Sequence, residues 1–275
     1  MIDLLNNKQI SILCALAKYQ FLTYEQLMTL GVDQHKSNLS SQLNILLKGK
    51  KPLVRKIPHS PNQSAVFYLD RSAQNLLTKE LKLNEQNIQI PRSIIKTENQ
   101  NRKHRSFLVD IHIALDQSVA KQNLESVFCH KDTDKTRKNN IDNSFNSSTA
   151  IQFSKGSVIA DMIFMLQTSY QKELYLLELE NGIDAAKSIS KCYNHATLLF
   201  EGSVHHKFNF DSAYRSLWVF ENAKTMLNTQ QSLSKNDYYE HIHEYFLFNT
   251  YHQVIDSFFK GWINMSGQER QLYYD

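Results

Sequence analysis

The stretch Leu174–Gly182, LYLLELENG, is an apolar run with the composition of a buried strand, yet Glu178 and Glu180 stand inside it. Side chains alternate faces along a strand, so the two glutamates point one way and Leu179 the other. Burying unpaired carboxylates is costly. Either the pair lies on the solvated face of an edge strand, or a cation compensates it.

The sequence on both sides bears on that choice. Upstream, SVIADMIFML (157–166) reads as another apolar strand carrying Asp161, with a short turn before KELYLLELE (172–180). A hairpin of these strands brings Asp161 beside Glu178 and Glu180, an arrangement of hard oxygen ligands suited to Mg²⁺ or Mn²⁺. Asp161 alone equally suits a strand end or turn. Downstream, IDAAKSISKCYNHATLLFE (183–201) reads as an amphipathic helix with Lys187 and Lys191, followed by strands in YRSLWVFEN and HEYFLFNTY. Before the hairpin come a helix, HRSFLVDIHIALDQSVAKQ (104–122), a strand in LESVFCH, and a polar, Asn-rich loop over 131–149. The order helix, three strands, helix, strand predicts an α/β (α+β) domain over residues 103–275.

A different pattern fills the N-terminal third. Apolar residues at helical spacing predict a helix over Asn7–Tyr19; Thr23 and Gln26 form a capping-box pair for a second, stopped at Gly31. A third is expected from Lys36 to Lys48, with Leu39, Leu43, Leu46 and Leu47 inward. Its open face carries His35, Lys36, Asn38, Ser40, Ser41, Gln42 and Asn44, hydrogen-bonding side chains suited to base edges and phosphates. Two β-type runs, Leu53–Ile57 and Ala65–Leu69, follow across a Pro/Ser/Asn turn, and a helix over 72–82 closes the unit. Three helices and a hairpin resemble the winged helix-turn-helix family. The resemblance implies a recognition helix with DNA contacts at Lys36, Ser37, Asn38, Ser41, Gln42 and Lys48, and Arg55, Lys56 and His59 on or near the wing. The domains are then a winged helix over 1–85, a linker over 86–102 and the α/β domain over 103–275.

Bulk composition agrees with such a division. Of 31 Lys+Arg and 27 Asp+Glu, residues 1–105 hold 16 and 7, a balance of +9, and residues 106–275 hold 15 and 20, or −5. A basic module joined to an acidic one suggests a phosphate-binding half and a half with another task. No apolar run has the length of a membrane helix, and the opening residues lack the order of a signal peptide, so a cytoplasmic protein is expected. Cys14, Cys129 and Cys192 are too far apart for a zinc site or disulfide framework and read as packing residues.

Asp161 followed by Glu178 resembles the signature of the PD-(D/E)XK nuclease superfamily, a restriction-endonuclease-like fold of one helix, three strands, a helix and a strand. Glu180 stands where that family has lysine, which implies a substitute cation; Lys191 on the next helix is the candidate. A closer resemblance is to the replication-relaxation family and the MobC-type plasmid mobilisation relaxases, in the segments HRSFLVDIHIAL, IADMIF, LELENG and KCY. The matching positions are His104, Asp110, Asp161, Glu178, Glu180, Gly182, Lys191 and Tyr193; Ala160 stands where proline is usual. His104 and Tyr193 read more readily as structural residues, and His241 with His243 receive no role. The resemblance implies metal-dependent DNA nicking, with Asp161, Glu178 and Glu180 as metal ligands and Lys191 completing the catalytic set. It implies double-stranded DNA at a transfer or replication origin as partner, with other mobilisation or replication proteins and a second copy of the chain as further partners. The alternative is a non-catalytic replication, copy-control or transcription regulator with a nuclease-like scaffold.

Overall fold

In the computed structural model, which describes residues 5–58, 64–84, 88, 90, 95–134, 147–212 and 214–273, contacts divide the chain into two units, Met1–Ile113 and Ala114–Asp275. The division falls within one helix.

The first unit opens with α1 (Asn7–Tyr19), α2 (Tyr24–Thr29) and α3 (Lys36–Leu47). Capping boxes start the first two: the Asn6 and Thr23 side chains accept the N–H of Gln9 and Gln26, whose own side chains return the bond. The amphipathic leucines then decide the packing. Leu13, Leu16, Leu27, Leu39, Leu43 and Leu46 meet in one core with Val54 of β1 (Val54–Ile57) and Phe67 and Leu69 of β2 (Val66–Leu69). β1 and β2 pair antiparallel, and Leu22 bridges to Phe67. His59 and the turn between the strands lie outside the described residues. The closing helix is a short α4 (Ala73–Asn75) that widens into a π turn over Leu76–Glu80.

Helix α5 (Ile95–Lys121) begins at Ile95, not at His104. Residues 96–103, KTENQNRK, contain no Gly or Pro and include Lys, Glu, Gln and Arg, good helix formers; their polarity alone suggests a linker.

The second unit is mixed α/β. In chain order it contains β3 (Glu125–Lys131), a hairpin of β4 (Ala150–Phe153) and β5 (Gly156–Ile159), β6 (Met162–Gln167), β7 (Lys172–Glu180), α6 (Ala185–Glu201) and α7 (Ser203–Phe208). There follow β8 (Arg215–Phe220), α8 (Ala223–Ser234), a 3₁₀ stretch (Asp237–Tyr245), β9 (Phe246–Thr250), α9 (Tyr251–Asp256), β10 (Trp262–Asn264) and β11 (Glu269–Arg270). Seven strands form one sheet in the order β11-β10-β9-β8-β7-β6-β3, in which β7, β8 and β9 are parallel and their neighbours antiparallel. Strand β7 is therefore central. Both its faces are covered, which accounts for its nearly continuous apolar sequence.

The run SVIADMIFML does not make one strand. It breaks at Ala160 and Asp161: β5 pairs with β4, and only β6 joins the large sheet. The Asp161 carboxylate accepts the Leu179 N–H at 2.8 Å, a side-chain bond in place of the next rung of the ladder. Strands β10 and β11, three and two residues long, are too short to show a period, and α8 is rich in Thr, Asn, Gln and Ser. Most of the polar loop expected at 131–149 lies outside the described residues. Among those described, no helix is long and apolar enough to cross a membrane.

Candidate functional site

Glu178 and Glu180 are 3% and 6% exposed on a central strand, so they are not the solvated face of an edge. On β8, Trp218 and Phe220 stand beside them, and Cys192 and Ala196 of α6 pack over that face. The compensating charge comes from α6. Asp184 caps this helix by accepting the N–H of Ala186 and Lys187, which fixes its start just beyond β7. Lys191 Nζ then lies 2.5 Å from Glu180 Oε1 and 3.6 Å from Glu178 Oε2. Four residues on, the same helix face delivers buried His195, whose Nε2 is 3.0 Å from Glu178 Oε1.

Behind His195 the hydrogen bonds continue through Ser216 to Trp218. The Trp218 indole N–H can only donate, and it donates to Ser216 Oγ at 2.9 Å. Ser216 Oγ is 3.1 Å from His195 Nδ1. If the hydroxyl passes its proton side to Nδ1, the imidazole keeps its proton on Nε2 and donates it to Glu178. Glu180 is held by Lys191 and by the Ser188 hydroxyl at 3.1 Å. None of His195, Ser216, Trp218 and Ser188 was singled out by sequence reasoning.

Burial, followed by the neighbouring Asp161 charge, pushes the Glu178 carboxyl above the usual carboxylate range. For Lys191, burial alone would favour the neutral amine, but Glu178 and Glu180 outweigh it and hold the ammonium above the ordinary lysine range. Burial, then the two glutamates, raises the Cys192 thiol well above its usual value, consistent with an inert packing residue.

A cleft of about 210 Å³ opens onto this network, lined by Asp161, Glu178, Lys191, Asn194, His195 and the β5 residues Ser157–Ile159. The β6–β7 register pairs Met162 with Leu177, so its next step sets Asp161 opposite Glu178. Asp161, Glu178 and Lys191 thus meet at one opening, while Glu180 turns away to Lys191 and Ser188. Among the described residues no group of three or more His, Cys, Asp or Glu side chains is disposed to hold a metal ion. Two carboxylates, Asp161 and Glu178, line the cleft, a number that suits Mg²⁺, which commonly keeps waters and takes one or two carboxylates together with substrate phosphate. Lys187 is exposed on α6. Asp110 accepts from Gln26 within the first unit at 2.9 Å, and His104 is half-buried on α5.

The residues expected to meet DNA are on or beside α3 and on β1. Lys36, Ser37, Asn38, Ser41, Asn44 and Lys48 are exposed, whereas Ser40 and Gln42 are half-buried. Ile45 is 55% exposed on the same outward side and was not foreseen. Several of the polar groups have partners: Lys36 Nζ pairs with Glu25 at 2.9 Å, Asn38 donates to Asp33 at 3.3 Å, Gln42 accepts from Asn6 at 2.8 Å, and Ser41 donates to the Ser37 carbonyl at 3.1 Å. Arg55 pairs with Asp70 at 2.5 Å, and the Lys56 ammonium lies 5.9 Å from the Phe67 ring centroid. The cations on this surface are therefore partly neutralised at its rim.

No protein-family model matches the chain, and no curated protein or solved structure matches it significantly.

Proposed function

We propose that the chain is a cytoplasmic DNA-processing protein. In this reading its N-terminal helices and hairpin act as a winged helix-turn-helix on duplex DNA, and its second unit is a PD-(D/E)XK-like domain that nicks one strand with Mg²⁺ or Mn²⁺. The observation that supports it best is the meeting of Asp161, Glu178 and Lys191 at one cleft, with lysine reaching from α6 to the acids of β7. Asp161 and Glu178 would hold the cation. When bound, it would polarise the scissile phosphate and help generate the attacking hydroxide. Lys191 orients the water or the phosphate, Glu180 fixes Lys191, and His195 fixes Glu178. The target is a transfer or replication origin, in company with other mobilisation or replication proteins, as in the MobC-type relaxases whose motifs the sequence resembles.

One observation favours a second reading. Lys191, His195 and Ser188 already compensate both glutamates, so the network also serves as a self-contained scaffold in a non-catalytic replication or transcription regulator. Incubating supercoiled plasmid with the protein and Mg²⁺ or Mn²⁺ separates the two. Nicked circles are expected, and Glu178→Gln should abolish them while duplex binding persists. Circles that appear only after proteinase treatment would reveal a covalent protein–DNA intermediate. Absence of nicking in either metal would leave the scaffold.

A further inference from the structure

On the second unit, two exposed aromatics of α6 meet a third on the 3₁₀ stretch. Tyr193 and Phe200, seven residues apart on the helix, are 39% and 54% exposed, and Tyr238 at the start of the 3₁₀ stretch is 36% exposed. Tyr193 and Tyr238 stack with ring centroids 4.9 Å apart and planes at 21°. Phe200 meets Tyr238 edge-on at 5.5 Å, and Tyr238 rests against buried Tyr239 at 5.1 Å. Aromatic side chains this large are normally spent on core packing. Here they stack on one another at the surface.

The β4–β5 hairpin connects this surface to the cleft. Glu201, the last residue of α6, accepts the Ser154 N–H at 2.9 Å and the Ser154 hydroxyl, which anchors the hairpin turn to the helix. The turn carries Lys155 with its ammonium 5.3 Å from the Tyr193 ring centroid, and strand β5 then forms a wall of the carboxylate cleft through Ser157, Val158 and Ile159. Asn194, next to Tyr193, lines the same cleft. Tyr193 is already covered by Tyr238 and Lys155, so the most open ring is Phe200, 54% exposed beside this pair. An exposed aromatic edge with a cation beside it, continuous with the cleft, suits a ligand with planar rings and negative charge.

We propose that Tyr193, Phe200 and Tyr238, with Lys155, are a stacking platform for unpaired nucleotides of the DNA strand that enters or leaves the carboxylate cleft. The inference rests on the nicking reading for its role, although binding itself requires no cleavage. Bases stack on aromatic faces whatever their sequence, and a lysine beside them pairs with the phosphates. The aromatic surface thereby holds the strand that melting or nicking releases.

Fluorescence anisotropy of the full chain with a labelled twelve-residue oligothymidylate, without divalent metal, tests the platform against an abasic strand of equal length. The wild type should prefer the oligothymidylate. Phe200→Ala and Tyr238→Leu should each weaken it about fivefold or more, the lower end of what one stacked base contributes, and should move abasic binding less than twofold. Tyr238→Leu preserves apolar bulk, and circular dichroism melts confirm that each variant is folded. Equal affinity of the wild type for the two strands, or unchanged oligothymidylate affinity in both variants, would overturn the platform. So would concentration-dependent dimerisation, in sedimentation, that Phe200→Ala abolishes, because the surface would then be a self-association face. Plasmid nicking without oligothymidylate preference overturns the platform alone; preference without nicking overturns the nuclease reading alone.

Discussion

The acids of β7 and the polar face of α3 solve opposite problems. Glu178 and Glu180 are buried and depend on Lys191, His195 and Ser188, so each member of the network is needed by the others whatever the protein does. On α3 the outward residues are solvated, Lys36 is paired at the rim with Glu25 as Arg55 of β1 is with Asp70, and the middle of the face is neutral and hydrogen-bonding around Ile45. A substitution in the first region confounds stability with function. One in the second reports on recognition with little cost to the fold.

The sharpest way to break this contrast is Lys191→Ala, which leaves two buried carboxylates without their cation. Breaking a buried pair typically costs 3–5 kcal/mol; because Lys191 is 37% exposed, solvent screening lowers the expectation to about 2–3 kcal/mol in urea unfolding. Where nicking is measured, the rate should fall by about 10²-fold with little change in duplex affinity. Lys187→Ala, one turn earlier and exposed, should stay within about 0.5 kcal/mol of wild type. Equal stability losses at the two lysines would show that α6 supplies a diffuse field and that the buried network is not the compensating partner.

How much of this could be read from the sequence depends on the range of the interaction. The paired glutamates, the hairpin partner Asp161 and the helix carrying Lys191 follow from periodicities of two and 3.6, and the Thr23 and Gln26 capping pair from local spacing. His195 carried one available signal, its position four residues after Lys191 on the same helix face, but a lone histidine in an amphipathic helix is most simply a packed one. Ser216 and Trp218 had no signal at all: within RSLWVF they are ordinary strand residues, and only the parallel pairing of β7 with β8 sets Trp218 beside Glu178. The division of labour between Glu178 and Glu180 was equally hidden, because it depends on side-chain directions. Alternation sets both on one face without saying which reaches the cleft. The exposure of Ile45 was not anticipated because leucines on the neighbouring face dominate the apolar pattern of α3.

A smaller effect is expected on α3 and β1. Lys36→Ala and Arg55→Ala should each weaken duplex binding and lower the slope of log affinity against log salt by about one at most, less where the acid partner already satisfies the cation. Ile45→Ala should leave thermal stability unchanged and, on the proposal that α3 enters the major groove, reduce discrimination at one base pair by about fivefold, the loss of an apolar contact of the kind made with a thymine methyl. Competition titrations with duplexes varied one position at a time would read this out. Uniform weakening across all sequences on loss of Ile45 would mean that the face does not read bases.

The smallest expected effect concerns Asp33, at the entrance to α3. Its carboxylate accepts from Lys8, from the His35 N–H at 2.9 Å and from Asn38, tying α1 to the start of the third helix. Lys8 first, then the His35 N–H, lowers its pKa from 3.8 to about 2. A carboxyl whose pKa is depressed by folding binds fewer protons folded than unfolded between those values, so its contribution is complete above 3.8 and disappears as pH falls towards 2. Asp33→Asn should therefore melt below wild type at about pH 5, and the gap should close on acidification through that window. Glu178 runs the other way: its raised pKa makes its ionisation cost stability as pH rises above 4.5, so an acid limb governed by that residue would show stability increasing, not falling, as the carboxyl takes its proton. Melting curves of the two proteins that remain parallel from about pH 5 to about pH 2 would show that the Lys8 pairing at this helix entrance does not persist in solution.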